Sequence, residues 1–356
     1  MDYYFTQMLA EICERSQVVL GRPLRCIIIV NPVAGGFIIN SRWKKCIKAL
    51  AKCREKVDAN PKREIYKNVI LDITRGRGAA GEITREFIDR AKKDPVPFYL
   101  IISAGGDGTH CEVMLSVYNN APAEVRSNMA VLKLPMGTGN DGADGINMEE
   151  VLERLIKPVN IEFAPAVKLI TAPGGSSSWK GQFLAFNILS VGMDAYVTHM
   201  TNMMKGTASG DFYKLWLDIA TLFYERKYKI DFFDVKAFDD KNNEVVSLRE
   251  KLLLLAMGAS GHRSYGSHQK ILPDERNVCA AKNMSLFRKM IIKSQVAKGT
   301  HAKNPEVILF NAHRLEFSGM HPILAQFDGE TILLQPDDFP AVMELTEPVI
   351  PLLKLA

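Results

Sequence analysis

The stretch FYLIISAGGDGTHCE at 98–112 constrains this chain more than any other. Five consecutive apolar or aromatic residues, Phe98 to Ile102, predict a strand buried on both faces. Gly105, Gly106 and Gly108 then break it, and a helical pattern follows. Glycine permits positive φ and close backbone approach, so the amides of such a turn and of the helix N-terminus behind it can point at an anion. Asp107, between the glycines, adds a carboxylate able to hold Mg²⁺ directly or through water. Alone, the stretch fits a tight strand-to-helix turn as well as it fits a phosphate-binding one.

Three similar units surround it. A buried strand over 26–30 runs into NPVAGG at 31–36, then a helix with Ser41 as N-cap and Trp43, Ile47 and Leu50 at helical spacing. A strand over 69–73 leads through TRGRG to a helix over 79–93. After the 98–102 strand and a helix over 112–118, a strand over 130–134 ends in PMGTGND, and Asn147 with Glu150 three residues on forms a capping box before the next helix. Alternating strand and helix argues for a parallel sheet covered by helices, a Rossmann-like α/β domain over 23–158. Ligands in such sheets bind at the carboxyl ends of the strands, which is where all four polar, glycine-bearing loops fall.

The flanks read differently. Residues 1–22 predict an amphipathic helix, with Phe5, Met8, Leu9 and Ile12 on one side, as an appendage. Past Pro158, period-two alternation predicts a second, antiparallel β-rich, sandwich-like domain over 159–335. Its strands are expected at 252–257, 284–291, 307–310, 314–317, 323–327 and 331–334, and helices at 195–205 and 212–224. Residues 336–356 form a C-terminal segment that can return to the first domain. The fold class is therefore α/β plus β.

Charge and cysteine usage narrow the partners. Forty-five basic against 40 acidic residues in 356 leave a net charge of +5, without the dense basic stripe of a nucleic-acid binder. A mildly basic surface suits nucleotide phosphates or an anionic membrane face. The six cysteines show no CxxC spacing and read as reduced thiols of a cytoplasmic protein. The N-terminus does not have the pattern of a signal peptide, and no window reaches transmembrane length, so membrane contact is expected to be peripheral.

NPVAGG, GGDGTHCEV and PMGTGND, in that order, resemble the diacylglycerol kinase catalytic domain family, lipid kinases that include sphingosine kinases and are related in fold to NAD kinases. Weaker continuations are FNILSVGMDA at 186–195, YGSHQKILPD at 265–274 and FDGE at 327–330. The resemblance implies ATP-dependent transfer of the γ-phosphoryl group to the hydroxyl of a diacylglycerol-like or related lipid, with ATP and Mg²⁺. It implies a nucleotide site of Asn31, Pro32, Gly35, Thr74, Gly105, Gly106, Asp107, Gly108, Thr109, Glu112, Gly137, Thr138 and Asn140. It implies Asp107 acting through Mg²⁺ or water, Glu330 as the general base on the acceptor hydroxyl, and Asp274 as a metal ligand in the second domain. Asp328-Gly329 is also an ordinary hairpin signal, which leaves Glu330 open to a purely structural reading.

The chain departs from the family pattern in several places. Cys111 stands where asparagine is favoured, Ala34 where serine or threonine is common, and Gly142, Ala143 and Asp144 where an aromatic, alanine and arginine are usual. Few carboxylates follow Pro273, so a second metal site lacks most of its donors. Two further readings stay open: a kinase of a soluble substrate, as in NAD kinases, and a nucleotide-binding regulatory protein without transfer activity. A lipid substrate, peripheral membrane contact and a homodimer are compatible with the leading reading. His262 and His268 fit no metal-ligand spacing, whereas Leu215, Trp216, Ile219, Leu222 and Phe223 pack in the core or line a lipid entrance.

Overall fold

A computed structural model describes residues 3–15, 22–57, 69–137, 140, 147–177, 183–204, 218–219, 223–266 and 269–356. The chain divides into two compact units, Met1–Ala164 with Pro348–Ala356, and Pro165–Glu347.

The first unit starts with helix α1 (Tyr3–Glu14), strand β1 (Leu24–Val30), the short helix α2 (Gly35–Ile38) and helix α3 (Asn40–Lys56). It continues with β2 (Val69–Ile73), α4 (Ala79–Lys93), β3 (Phe98–Gly105), α5 (Asp107–Asn120) and α6 (Ala123–Arg126). β4 (Met129–Pro135), α7 (Met148–Ile156) and β5 (Val159–Ala164) follow. Its six-stranded sheet has the order β2-β1-β3-β4, then the C-terminal strand Ile350–Leu355, then β5. Every pairing is parallel except that between the C-terminal strand and β5. β3 is buried along its whole length, as its unbroken apolar run requires of a strand covered on both faces. The chain leaves β1 toward β2 on one side and leaves β3 toward β4 on the other. The order therefore reverses between β1 and β3, and that reversal is the topological switch point of an open α/β sheet.

Two local expectations are corrected here. α1 is no appendage: Phe5, Met8, Leu9 and Ile12 are all fully buried in the core of the first unit, each worth about 1.5–3 kcal/mol of apolar burial. Phe5 packs edge-on against Phe37 at 5.2 Å between centroids and against Trp43 at 5.6 Å. Ser41 is not an N-cap. The turn of α2 feeds straight into α3, and the Ile39 carbonyl already accepts from the amides of Arg42 and Trp43, which leaves Ser41 inside the helix. Asn147 is the N-cap of α7, with Oδ1 accepting from the Glu150 amide at 3.1 Å, but the reciprocal bond of a capping box is replaced by one from the side chain, Nδ2 donating to Glu150 Oε1 at 2.8 Å.

The second unit is an antiparallel β structure. Its strands are β6 (Val167–Ile170), β7 (Phe183–Ala185), β8 (Ile188–Gly192), β9 (Phe232–Phe238), β10 (Glu244–Gly258), β11 (Arg263–Tyr265), β12 (Gln269–Leu272) and β13 (Val278–Lys282). β14 (Val307–Phe310), β15 (Arg314–Ser318), β16 (Ile323–Phe327), β17 (Glu330–Leu334) and β18 (Ala341–Leu345) complete it. The large sheet runs β17-β16-β8-β10-β9-β15-β18-β6-β7, with β13 on β10 and β14 on β13. β10 serves two neighbourhoods. Its first half pairs with β9 and alternates in exposure, whereas its second half pairs with β8 and β13 and is buried throughout.

Helix α8 (Met193–Met204) follows β8, and helix α9 (Leu286–Lys298) lies between β13 and β14. α9 replaces a strand expected over 284–291. The run Leu286-Phe287…Met290-Ile291-Ile292 is short and apolar, which periodicity alone assigns to either class. Burial of Lys289 and Ile292 at helical spacing and the left-handed Gly299 at the C-terminus settle it as helix. The helix expected over 212–224 lies mostly outside the described residues, which include 218–219 and 223–224 of it as helical, with 225–227 continuing the turn.

Candidate functional site

The site is built at the β1/β3 switch point, where three loops meet backbone to backbone. The Asn31 amide donates to the Ala104 carbonyl at 3.0 Å, joining the end of β1 to the end of β3. Asn31 Nδ2 donates to Thr109 Oγ1 at 3.0 Å, and Asn31 Oδ1 accepts from the Val33 amide at 3.2 Å. One asparagine side chain thus shapes the NPVAGG turn and ties it to the first turn of α5. The Gly36 amide donates to the Met136 carbonyl at 2.7 Å, and Arg42 Nη1 donates to the Gly137 carbonyl at 2.9 Å. Gly137 in turn gives its amide to Asn140 Oδ1 at 2.6 Å, with Asn140 in the left-handed region at φ 57°.

Steric room explains the glycines here, and positive φ does not. None of Gly105, Gly106 and Gly108 has a left-handed backbone, which corrects half of the reason given for them in the sequence. A Cβ on Gly105 would lie 2.6 Å from Thr109 Cβ, and one on Gly137 would lie 2.7 Å from Gly106 Cα. A Cβ on Gly36 would lie 2.9 Å from Met136 Cα. At Gly108, in contrast, no heavy atom of the described residues outside its own helix turn comes within 4 Å of that position. The first turn of α5 therefore opens on free space at Gly108, beside a half-buried Asp107 at the helix start. Amide groups at a helix N-terminus with open space before them suit an anion, and the Asp107 carboxylate suits a hard cation accompanying it.

The remaining predicted residues take different places. Pro32 is half-buried in the turn and Gly35 is buried at the start of α2. Thr74 donates its amide to the Val30 carbonyl at 2.9 Å, which sets the TRGRG loop against the end of β1. Glu112 turns away from the open space at Gly108. Its carboxylate accepts from the Gly78 amide at 2.7 Å and the Ala80 amide at 3.1 Å, so it caps α4 and fixes the TRGRG loop. Thr138 lies outside the described residues, as do Asp141, His268, Leu215, Trp216 and Leu222. Arg42 and the buried pair Ser103 Oγ–His110 Nδ1 at 2.6 Å belong to the same region and were not singled out by sequence reasoning. The SAGGDGTH spacing carries the Ser103–His110 pair in plain view, seven residues apart.

In the second unit, Glu330 opens β17 as an exposed residue directly after the turn Asp328-Gly329, whose φ values are 47° and 95°. This is the left-handed pair that an Asp-Gly two-residue hairpin requires. Asp328 does more than turn the chain. Its carboxylate accepts from the Asn187 amide at 3.0 Å, from the Ile188 amide at 3.2 Å and from the Phe186 amide at 2.5 Å. Asn202 Nδ2 donates to the Gly329 carbonyl at 2.6 Å, and Gln326 Nε2 donates to Ser190 Oγ at 3.0 Å. The FNILSVG and FDGE motifs are thereby locked together, which holds the backbone of Glu330 in a fixed place.

Asp274 is held by Arg276, whose Nε and Nη2 approach its carboxylate at 2.9 and 2.5 Å, and this keeps its pKa at about 2. A cation there would have to displace the guanidinium. Among the described residues, no three or more His, Cys, Asp or Glu side chains group to hold a metal, at Asp107, Asp274 or elsewhere. His262 is exposed and paired with Glu275 at 3.0 Å. No helix among the described residues is long and apolar enough to cross a membrane.

Residues 25–170 match the family model of the diacylglycerol kinase catalytic domain. Over these residues the chain carries the pattern of that family's catalytic domain. A curated Bacillus subtilis (strain 168) protein named diacylglycerol kinase is 24% identical over 315 residues, covering 80% of this chain and 92% of that one. Three solved structures from Bacillus anthracis strain Sterne match with TM-scores of 0.58, 0.57 and 0.54, at 16% or 17% identity. They cover 92% or 93% of this chain and 95% or 96% of theirs; the third is described as a diacylglycerol kinase. The family is one of kinases, and the diacylglycerol kinase-like α/β-plus-β architecture extends over nearly the whole chain.

Proposed function

We propose that the chain is an ATP-dependent lipid kinase that transfers the γ-phosphoryl group to the hydroxyl of a diacylglycerol-like or related lipid. The observation that carries this is the junction at the β1/β3 switch point. Gly36 against Met136 and Gly106 against Gly137 bring three family motifs to one place, with the first turn of α5 open at Gly108. Phosphoryl transfer needs positioning and charge neutralisation above all. Amides of the α5 N-terminus would face the phosphates, the Thr109 hydroxyl would stay fixed by Asn31, and Asp107 would hold Mg²⁺ directly or through water. Mg²⁺ would supply neutralisation of phosphate charge. Glu330, on a hairpin immobilised through Asp328, would take the proton of the acceptor hydroxyl. The name of the Bacillus subtilis relative supports the lipid acceptor.

A second reading, a nucleotide-binding protein without transfer activity, draws on the Asp274–Arg276 pair, since an acidic side chain already held by arginine offers no open metal site. Labelled ATP, Mg²⁺ and a mixed lipid extract separate the two when run beside Asp107→Ala and Glu330→Gln variants. Label in an organic-soluble product, lost in both variants, supports the kinase. Nucleotide binding without lipid-dependent transfer overturns it, and label confined to soluble acceptors points to a kinase of a soluble substrate.

A further inference from the structure

α9 is apolar on the side where a surface helix should be polar. Phe287 is 73% exposed, Met290 60% and Leu286 47%, and these three share one face at the start of the helix. Three of its four cations are held in ion pairs. Lys289 is buried and paired with Glu225, Arg288 is paired with Glu306 and Lys293 with Asp218. The first turns of α9 thus expose an apolar patch in addition to the apolar side that Ile292 and Val296 turn inward.

The inner side of the helix is unusual too. Met284, Ile292 and Val296 join Leu254, Ile271 and Val307 around an apolar cavity of about 70 Å³ within the second unit. Of the seven basic residues from Arg276 to Asn304, five are held by carboxylates, Arg276 by Asp274, Lys282 by Glu250 and the other three as above. Lys298 and Lys303 are exposed toward and beyond the other end of α9, and Arg226 and Lys227 are exposed on the segment that carries Glu225.

We infer that α9 docks the protein on an anionic phospholipid surface, with Leu286, Phe287 and Met290 entering the headgroup region and the neighbouring lysines facing lipid phosphates. Three exposed side chains offer on the order of a few hundred Å², well short of the roughly 800 Å² per partner that a stable protein interface buries. Shallow apolar anchors beside cations are instead what an interfacial helix uses. The choice of a bilayer as occupant rests on the lipid-kinase reading, and the test keeps the two apart.

The full chain is sedimented with phosphatidylcholine vesicles, with or without about one third phosphatidylglycerol, while thermal melting and sedimentation velocity check fold and oligomer. The Phe287→Ser/Met290→Ser variant is expected to bind anionic vesicles about tenfold less with unchanged melting. Lys298→Glu/Lys303→Glu is expected to lose the preference for phosphatidylglycerol. Met320→Ser, which removes another apolar side chain that is 68% exposed, is expected to bind as the parent does. No binding by the parent, or equal binding by all variants, overturns the inference. So does a parent dimer that the Phe287→Ser/Met290→Ser variant dissociates, which would make a second copy the occupant. Docking through α9 without phosphorylation of any lipid sinks the kinase reading alone. Lipid phosphorylation in micelles with α9-independent vesicle binding sinks the docking alone.

Discussion

Asn31 and Thr109, 78 residues apart, are joined by a 3.0 Å hydrogen bond from Nδ2 to Oγ1 that makes the turn after β1 and the first turn of α5 one body. Thr109 is nearly buried, so its methyl and hydroxyl are both fixed. Thr109→Val keeps the shape and leaves the Asn31 amide without its acceptor, a loss of about 1 kcal/mol. Asn31→Ala also releases the Val33 amide and is expected to cost more. Nucleotide affinity is expected to fall in both variants, Asn31→Ala being the weaker binder, as measured by titration calorimetry beside thermal melting.

Two glycines of the same turn are expected to respond in opposite ways. At Gly105 an added Cβ would meet Thr109 Cβ at 2.6 Å, and Thr109 cannot swing aside without breaking its bond to Asn31. Gly105→Ala is therefore expected to destabilise by about 1–3 kcal/mol. Gly108 has open space around it and sits in a helix, where alanine is favoured over glycine by about 0.5–1 kcal/mol. Gly108→Ala should melt at the same temperature or higher and still bind nucleotide more weakly, because the methyl group occupies the space kept for phosphate. Unimpaired nucleotide binding by Gly108→Ala would place the phosphates elsewhere.

How far the sequence could be read depended on the kind of constraint. β1 and β3 are legible because unbroken apolar runs such as Ile27–Val30 and Phe98–Ile102 have only one home in an α/β sheet. α9 was misread because Leu286 to Ile292 is too short for periodicity to decide, and because Lys289 and Lys293 are held by Glu225 and Asp218, partners far away in sequence. Glu112 shows a similar limit. Its place in GGDGTHCE suggests the nucleotide, whereas the register of α5 against α4 delivers its carboxylate to the Gly78 and Ala80 amides. Asp328 reads as a turn residue, and only the pairing of β16 with β8 brings the Phe186–Ile188 amides to it.

That arrangement separates Asp328 from Glu330 by experiment. Asp328→Asn keeps the shape but loses the charge that several amides share, a cost of about 1.5–3 kcal/mol for hydrogen bonds to an ionised group. Glu330 is exposed at the strand start, and Glu330→Gln is expected to change stability by less than about 0.5 kcal/mol. Denaturant melts should therefore move for Asp328→Asn alone, while phosphoryl transfer should fall for Glu330→Gln with nucleotide affinity intact. Full turnover in Glu330→Gln would remove it from the chemistry and leave the hairpin as structure only.

Thiol reactivity offers an independent check of the packing. None of the six cysteines is in a disulfide, and only Cys111, on α5, is not buried. Burial pushes the Cys46 and Cys279 thiols up to about 12 and Cys53 up to about 11, so these are not thiolates near neutral pH. One fast-reacting thiol is expected with a disulfide reagent, and Cys111→Ser should remove it. Bound nucleotide is expected to slow the reaction, because Cys111 lies one turn from Asp107. More than one fast thiol in the folded protein would contradict the burial of the other five.

The acid side of the stability profile should contain two separable steps. His301 is fully buried with Nε2 donating to the Ile271 carbonyl at 3.0 Å, and burial pushes its pKa below the ordinary histidine value. Because the native ring resists a proton that the unfolded chain accepts near pH ~6.5, stability is unaffected above that pH and falls as pH drops below it. Asp274 behaves in the opposite sense chemically, with Arg276 holding its carboxylate at about 2. Its contribution is present above the unfolded value of ~3.9 and is lost as pH falls from there toward 2. His301→Gln, which retains an amide donor for Ile271, should flatten the fall in stability that begins below pH ~6.5. Arg276→Gln should flatten only the step below pH ~4. Denaturant melts across this range read both, and a His301→Gln profile parallel to that of the parent would show that the native ring takes up its proton as readily as the unfolded chain.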